Sequence, residues 1–175
     1  LQELPPLDIL AMLEIRSGDV VLDIGAGTGY FTLPAASLSS ATVYALDVQP
    51  EMLQVLNKRA AEKGLTHIKL VEGEIEQMPL PDQVADRVIA SLVLHEVEPL
   101  SRGLDEIKRV LKPRGRLLCL EWEKKETEQG PPLSHRIGSD EMKRALQDAG
   151  FSIVRLTFPT EAHYIILAEK GASSS

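Results

Sequence analysis

The 175-residue chain contains one cysteine, Cys119, and one tryptophan, Trp122. A lone cysteine forbids an intrachain disulfide and any thiolate-built metal site, and it fits a reducing compartment such as the cytoplasm. Its neighbours Leu117, Leu118 and Leu120 are apolar, so Cys119 reads as a buried, inert thiol rather than a nucleophile. The four histidines are scattered without metal-ligand spacing, and no metal is expected. Basic residues are the minority, 19 Lys and Arg against 26 Asp and Glu, which argues against a nucleic-acid partner. No apolar run reaches the roughly 18 residues of a membrane span. No internal repeat or secretory leader stands out.

What is present fits an ordinary globular domain. Hydrophobic residues make up 43% and charged residues 26%, and the length suits one core. We expect one domain over 1–170 and a short frayed tail of small polar residues over 171–175. The sequence assigns no oligomeric state.

The chain alternates between short apolar runs and segments of helical period. A first helix is predicted from Leu4 to Ile15, then a strand from Asp19 to Ile24. A helix from Gly29 to Leu38 follows, with Pro34 in its first turns. A strand over Thr42–Asp47 leads to a helix from Pro50 to Gly64. Strands over His67–Val71 and Ala85–Val93 are separated by a loop from Glu72 to Gln83. A helix over Leu100–Leu111 and a turn at 112–115 precede a strand over Arg116–Trp122. A long polar loop, Lys124 to Gly138, reads as a lid. A helix capped by Ser139 or Asp140 then leads to two strands, Phe151–Phe158 and Tyr164–Glu169, close enough to form an antiparallel hairpin. This order predicts an α/β fold. It is a Rossmann-like three-layer sandwich whose mostly parallel seven-stranded sheet ends in the antiparallel hairpin.

The centre of the pattern is Val20 to Tyr30. Apolar Val20, Val21, Leu22 and Ile24 surround Asp23, and Gly25, Gly27 and Gly29 follow at every second position. Such a loop between strand and helix lets a backbone approach a ligand closely. Ligands of this fold class bind at the carboxyl ends of the strands, where the strand order reverses. The loop, Asp47, Glu74, Ser91 and Glu121 all fall at or just past predicted strand ends.

A dinucleotide fingerprint would space the glycines Gly-x-Gly-x-x-Gly, and here the last one arrives a residue early. Asp23 beside a pyrophosphate would repel it, whereas it suits a ligand carrying ammonium and sulfonium charges. Asp47 can accept from two ribose hydroxyls, a property shared by both ligand classes.

The run Asp23-Ile-Gly25-Ala-Gly27-Thr-Gly29 resembles the first motif of the class I S-adenosylmethionine-dependent methyltransferases. Ala45-Leu-Asp47-Val-Gln-Pro50-Glu-Met52 resembles their second. Similar stretches are Val71 to Asp82, Asp86 to His95, and Glu106 to Leu117, so the likeness covers about residues 18–123. The nearest flavour is the small-molecule group that includes ubiquinone/menaquinone-biosynthesis methyltransferases. The resemblance implies S-adenosylmethionine as cofactor, S-adenosylhomocysteine as product and a small-molecule acceptor. It places Asp23, Gly25, Ala26, Gly27 and Gly29 around the methionine end, Asp47 on the ribose, and Val48 and Met52 by the adenine. Glu74 and Ile75 would meet the adenine edge, and Ser91 the methionyl group. The family usually carries Asp at the Glu74 position, and the longer side chain still accepts the same bond.

For catalysis the candidates are His95 and Glu96, after the fourth strand. His95 is either a base for a protonated acceptor or a residue bonding its loop. Trp122 either lines an acceptor pocket or covers the sheet. His135 reads as a solvated loop residue, and His67 and His163 as structural. Only 18 residues precede the first strand, so the acceptor cover that such enzymes build there is short or lies outside the sequence. The buried cysteine argues against a thiol-dependent metalloid methyltransferase. Three functions stand at this point: methyl transfer to a small molecule, a cofactor-binding partner subunit without its own acceptor site, and a nicotinamide-dependent oxidoreductase, which Asp23 and the glycine spacing disfavour.

Overall fold

The computed structural model describes residues 4–172. Seven strands form one sheet: β1 Val21–Ile24, β2 Val43–Asp47, β3 Ile68–Glu72, β4 Ala85–Ser91, β5 Leu111–Trp122, β6 Phe151–Thr157 and β7 His163–Lys170. The helices are α1 Pro6–Ala11, α2 Thr32–Leu38, α3 Pro50–Glu62, α4 Leu100–Val110 and α5 Ser139–Asp148. The spatial order is β3-β2-β1-β4-β5-β7-β6. The first five strands run parallel, and β7 lies antiparallel to both β5 and β6. The strand order therefore reverses between β1 and β4.

Alternate residues of each buried strand feed opposite faces. Leu22, Val88, Leu117, Cys119 and Ile166 join the core under α4 and α5. Val21, Ile89, Leu118, Leu120 and Ile165 join the core beneath α1 and α2. Both faces being covered explains why these strands are apolar almost throughout.

The boundaries differ from the expected ones where backbone conformation intervenes. Helix α2 begins at Thr32 rather than Gly29, because Gly29 at φ +101° still belongs to the loop. Pro34 then sits in the first turn, where its missing N–H costs nothing. Strand β4 stops at Ser91 because Leu92, at φ +55°, turns the chain into a short 3₁₀ turn over Leu94–Glu96. The turn expected at 112–115 is a bulge inside β5: Ala85 pairs with Leu111, but Arg87 pairs with Arg116. Arg114, at φ +64°, marks it and donates its N–H to the Gly171 carbonyl at 3.0 Å. Gly171 is thus tied to β5, while 173–175 of the expected tail lie outside the described residues. Helix α1 is shorter than predicted and ends in tight turns closed by Leu13 N–H to Leu10 O and Glu14 N–H to Ala11 O.

Candidate cofactor groove and its rim

A groove of about 440 Å³ opens at the carboxyl ends of β1, β2, β3 and β4, at the point of strand reversal. The size falls within the roughly 300–1,000 Å³ usual for small-molecule sites. Of the residues expected there, Gly25, Gly27, Asp47, Val48, Met52, Glu74, Ile75, Ser91 and Glu96 line it. Asp23, Ala26, Gly29 and His95 do not.

The glycine loop is held by its neighbour strand. The Gly25 and Ala26 N–H groups both donate to the Leu46 carbonyl, at 2.8 and 2.9 Å. Asp47 completes the hold: its carboxylate accepts the Gly27 N–H at 2.8 Å and the Gln49 N–H at 2.9 Å. A carboxylate has about four lone-pair sites, so two remain for ribose hydroxyls. The glycines differ in purpose. At Gly25 a Cβ would come within 2.8 Å of Val93 Cγ2, and at Gly29 it would crowd Leu33 and Leu56. Gly27, at φ +56°, has open space where its Cβ would be, and that space belongs to the groove.

Asp23 stands behind the loop. It is buried and accepts the Thr32 hydroxyl at 2.7 Å. Burial pushes its carboxyl up to about 7; the Thr32 hydrogen bond opposes this and the nearby Asp47 charge adds to it.

Across the groove, Val48 and Met52 are exposed and present apolar surface with no protein partner over them. The facing loop carries Glu74 and Ile75. Arg109 from α4 fastens it, donating to the carbonyls of Met78 and Leu80 and pairing with Asp82 and Glu106. Arg102 adds a bond to the Glu76 carbonyl. Neither arginine stood out in the sequence, because nothing local links α4 to a loop some thirty residues earlier. The charged residues lining the groove are Asp47, Glu74, Glu76 and Glu96, all acidic. That field favours a cationic ligand.

The rim beyond β4 carries the titratable pair. Glu121, at the end of β5, is completely buried. Its carboxylate accepts the His95 backbone N–H at 3.0 Å and the Trp122 N–H at 2.9 Å, and both oxygens lie 3.0 Å from His95 Nδ1. His95 Nε2 lies 3.7 Å from the carboxylate of Glu96. The hydrogen bond to Glu121 raises the His95 pKa above its ordinary value against the effect of burial, and Arg136 also opposes the rise.

The Trp122 ring packs against the loop after β5 and against β7. The Arg136 guanidinium sits 5.1 Å from its ring centre, and the His163 ring stacks at 4.1 Å. Arg136 is buried and organises the loop after β5, bonding the carbonyls of Lys125, Gln129 and Pro131 and the Thr127 hydroxyl. The segment read as a lid is therefore a folded cap wound around one side chain. Glu123, at its start, caps α5 by accepting the Ser139 N–H and hydroxyl at 2.9 and 2.7 Å. His135 is exposed, and His67 Nε2 bonds the Ala36 carbonyl at 2.8 Å. Cys119 is buried, which holds its thiol pKa well above the usual value. Among the described residues no group of three or more potential metal ligands occurs, and no helix is long and apolar enough to cross a membrane.

A methyltransferase domain family matches residues 22–119, more than half of the chain. The chain belongs to this methyltransferase family. Curated relatives include a ubiquinone/menaquinone biosynthesis C-methyltransferase UbiE from Marinomonas sp., 38% identical over 117 residues, covering 65% of this chain and 47% of that one. A demethylmenaquinone methyltransferase from Geobacillus sp. is 34% identical, covering 65% of this chain and 50% of the other. The chain spans about half the length of these relatives. Among solved structures, a SAM-dependent methyltransferase from Aquifex aeolicus has a TM-score of 0.87 at 29% identity, covering 95% of this chain and 90% of its own. The [4+2]-cyclase SpnF superposes with a TM-score of 0.86 at 20% identity, over 98% of this chain and 81% of its own, a likeness of fold alone.

The cofactor of this methyltransferase family is S-adenosylmethionine, and the groove suits it. Open space lies over Gly27, lone pairs remain on Asp47, Val48 and Met52 offer an apolar shelf, and the lining charges are anionic.

Proposed function

We propose that this methyltransferase domain transfers a methyl group from S-adenosylmethionine to a small-molecule acceptor. The observation that carries the reading is the anchored Asp47 carboxylate beside an open groove whose charged lining is entirely acidic. When bound, S-adenosylmethionine supplies a methyl group already activated by a positive sulfur, so the protein's task is chiefly alignment. In this reading Asp47 holds the ribose, Gly25 and Gly27 bring backbone close to the methionine end, and Val48, Met52, Glu74 and Ile75 enclose the adenine. Ser91 contacts the methionyl group. Asp23 supports the loop from behind, with Ala26 and Gly29 shaping it. His95 takes the acceptor's proton at Nε2, and Glu96 stands beside it at the groove.

Family membership favours methyl transfer over hydride transfer. The groove wall built by Ser91, Leu92, Val93, Glu96 and Val97 favours an acceptor site within this chain over a cofactor-binding partner role. The single buried Cys119 suits a cytoplasmic setting. Calorimetry should detect S-adenosylmethionine and S-adenosylhomocysteine, and a labelled methyl donor offered with a metabolite extract should mark the acceptor. Binding of NADH in place of S-adenosylmethionine would sink the reading.

A further inference from the structure

Glu121 is an unusual group to find at the end of a core strand. It is completely buried, and among the described residues no Lys or Arg forms an ion pair with it. Its partners are two backbone N–H groups and the His95 imidazole. The nearby Cys119 and Tyr164 are neutral groups whose pKa values its charge helps to raise. Burying a carboxylate without a permanent cation is costly. A neutral glutamine would be cheaper to bury, though its single carbonyl oxygen could accept from only part of this set. What glutamine lacks is the charge that stabilises a protonated imidazole.

The imidazole geometry points the same way. Nδ1 faces two carboxylate oxygens, so it carries the proton when the ring is neutral. The lone pair is then left on Nε2, on the side of Glu96, which lines the groove. The backbone bond from His95 to Glu121 also fixes the segment in which Val93 closes over Gly25. One buried carboxylate thus sets the tautomer, the ring orientation and the groove wall together.

We propose that Glu121 is a positioning residue that holds His95 as a proton acceptor, and that the acceptor of this enzyme is therefore a protonated nucleophile, a hydroxyl or an enol. The proposal rests on the methyl-transfer reading. A tertiary amine or a thioether has no proton to lose and needs no such pair. With a hydroxyl, the proton passes to the Nε2 lone pair and the oxygen keeps its electron pair to bond the methyl carbon. The sulfur retains the pair of the bond that breaks. His95 accepts a proton only when neutral. Glu121 and Glu96 hold its proton on while Arg136 works against them, so the rate rises with pH through a value above that of an ordinary histidine.

Imidazole ¹⁵N shifts of the full wild-type chain, with and without S-adenosylhomocysteine, test this without turnover. The expected result is an Nδ1–H neutral tautomer titrating above the ordinary histidine range. An Nε2–H tautomer, or a titration at or below that range, overturns the proposal. In Glu121→Gln the titration and the rising limb of the pH–rate profile should both move to lower pH. The turnover rate should fall roughly ten- to hundred-fold, by more than S-adenosylhomocysteine affinity falls. Lost affinity with an unmoved His95 titration makes Glu121 merely structural and overturns the proposal. Methyl transfer to a hydroquinone probe supports the acceptor class; transfer only to a tertiary amine or a thioether refutes it. If wild type binds no S-adenosylmethionine, the methyl-transfer reading fails instead, while the tautomer still reports whether Glu121 positions His95.

Discussion

The Asp47 carboxylate at the end of β2 accepts the Gly27 amide of the loop leaving β1, at 2.8 Å. One side chain therefore shapes the cradle and also lines the groove. Asp47→Ala should weaken S-adenosylmethionine binding about ten- to hundred-fold, the worth of one hydrogen bond to a charged group. Asp47→Asn keeps an oxygen for one amide and should fall between. Isothermal calorimetry decides, and unchanged affinity in Asp47→Ala would remove Asp47 from the site.

The glycines at 27 and 29 should separate stability from binding. Gly27 adopts φ +56° with open space above it, so Gly27→Ala should cost only the backbone strain of about 1–2 kcal/mol. Its methyl group would intrude on the groove and lower cofactor affinity. Gly29→Ala adds to the strain of φ +101° a clash with Leu33 and Leu56, at 3.1 and 3.2 Å. That variant should lose a further 1–3 kcal/mol or so through overpacking. Urea midpoints set beside cofactor affinities read the difference; equal effects of the two variants on both would contradict it.

Much of this arrangement was legible in the chain because its signals are local. The glycine spacing, Asp23 before it and Asp47 one strand later each lie within a few residues of a strand end, and parallel strands bring such ends to one rim. The Glu121–His95 pair was not legible as a pair. Both residues were visible at predicted strand ends, but their contact depends on the β4–β5 register, in which Ser91 lies opposite Leu120. The same holds for Arg109, whose partners Met78, Leu80 and Asp82 lie on a loop some thirty residues earlier. The length of the loop 124–138 suggested a lid because buried Arg136 looks, in sequence, like any surface arginine. Strand β4 ended early at Leu92, where an apolar residue adopts a conformation that its type does not advertise.

Arg136 supplies the third prediction. Its guanidinium bonds carbonyls at residues 125, 129 and 131 and stacks on Trp122. Lysine carries the charge but cannot fork to several oxygens. Arg136→Lys should therefore loosen the cap nearly as much as Arg136→Ala. Losing even one charge-assisted bond, about 1.5–3 kcal/mol, raises the opened population more than tenfold. Trypsin cleavage after Lys124 or Lys125 should accelerate accordingly in both variants. Resistance equal to wild type would show that the cap is held by something other than Arg136.

Asp23 gives a pH dependence whose sign can be worked out. Burial raises its carboxyl from 3.8 to about 7 in the folded protein. The folded state then binds more protons than the unfolded state between these values, so stability falls as pH rises from about 4 to about 7 and levels off above. Each pKa unit corresponds to about 1.4 kcal/mol, so the ionised group costs a few kcal/mol at pH 8. Asp23→Asn keeps an oxygen for the Thr32 hydroxyl and removes the charge. The variant should match wild type near pH 4 and exceed it at pH 8, with a flatter profile between. It should also bind S-adenosylmethionine more weakly, because the ligand's cationic groups would no longer be balanced by Asp23. Urea denaturation at several pH values measures the slope, and a slope that persists in Asp23→Asn would assign it to another group. A variant that gains stability while losing affinity would identify Asp23 as a charge kept in the core for its ligand rather than for the fold.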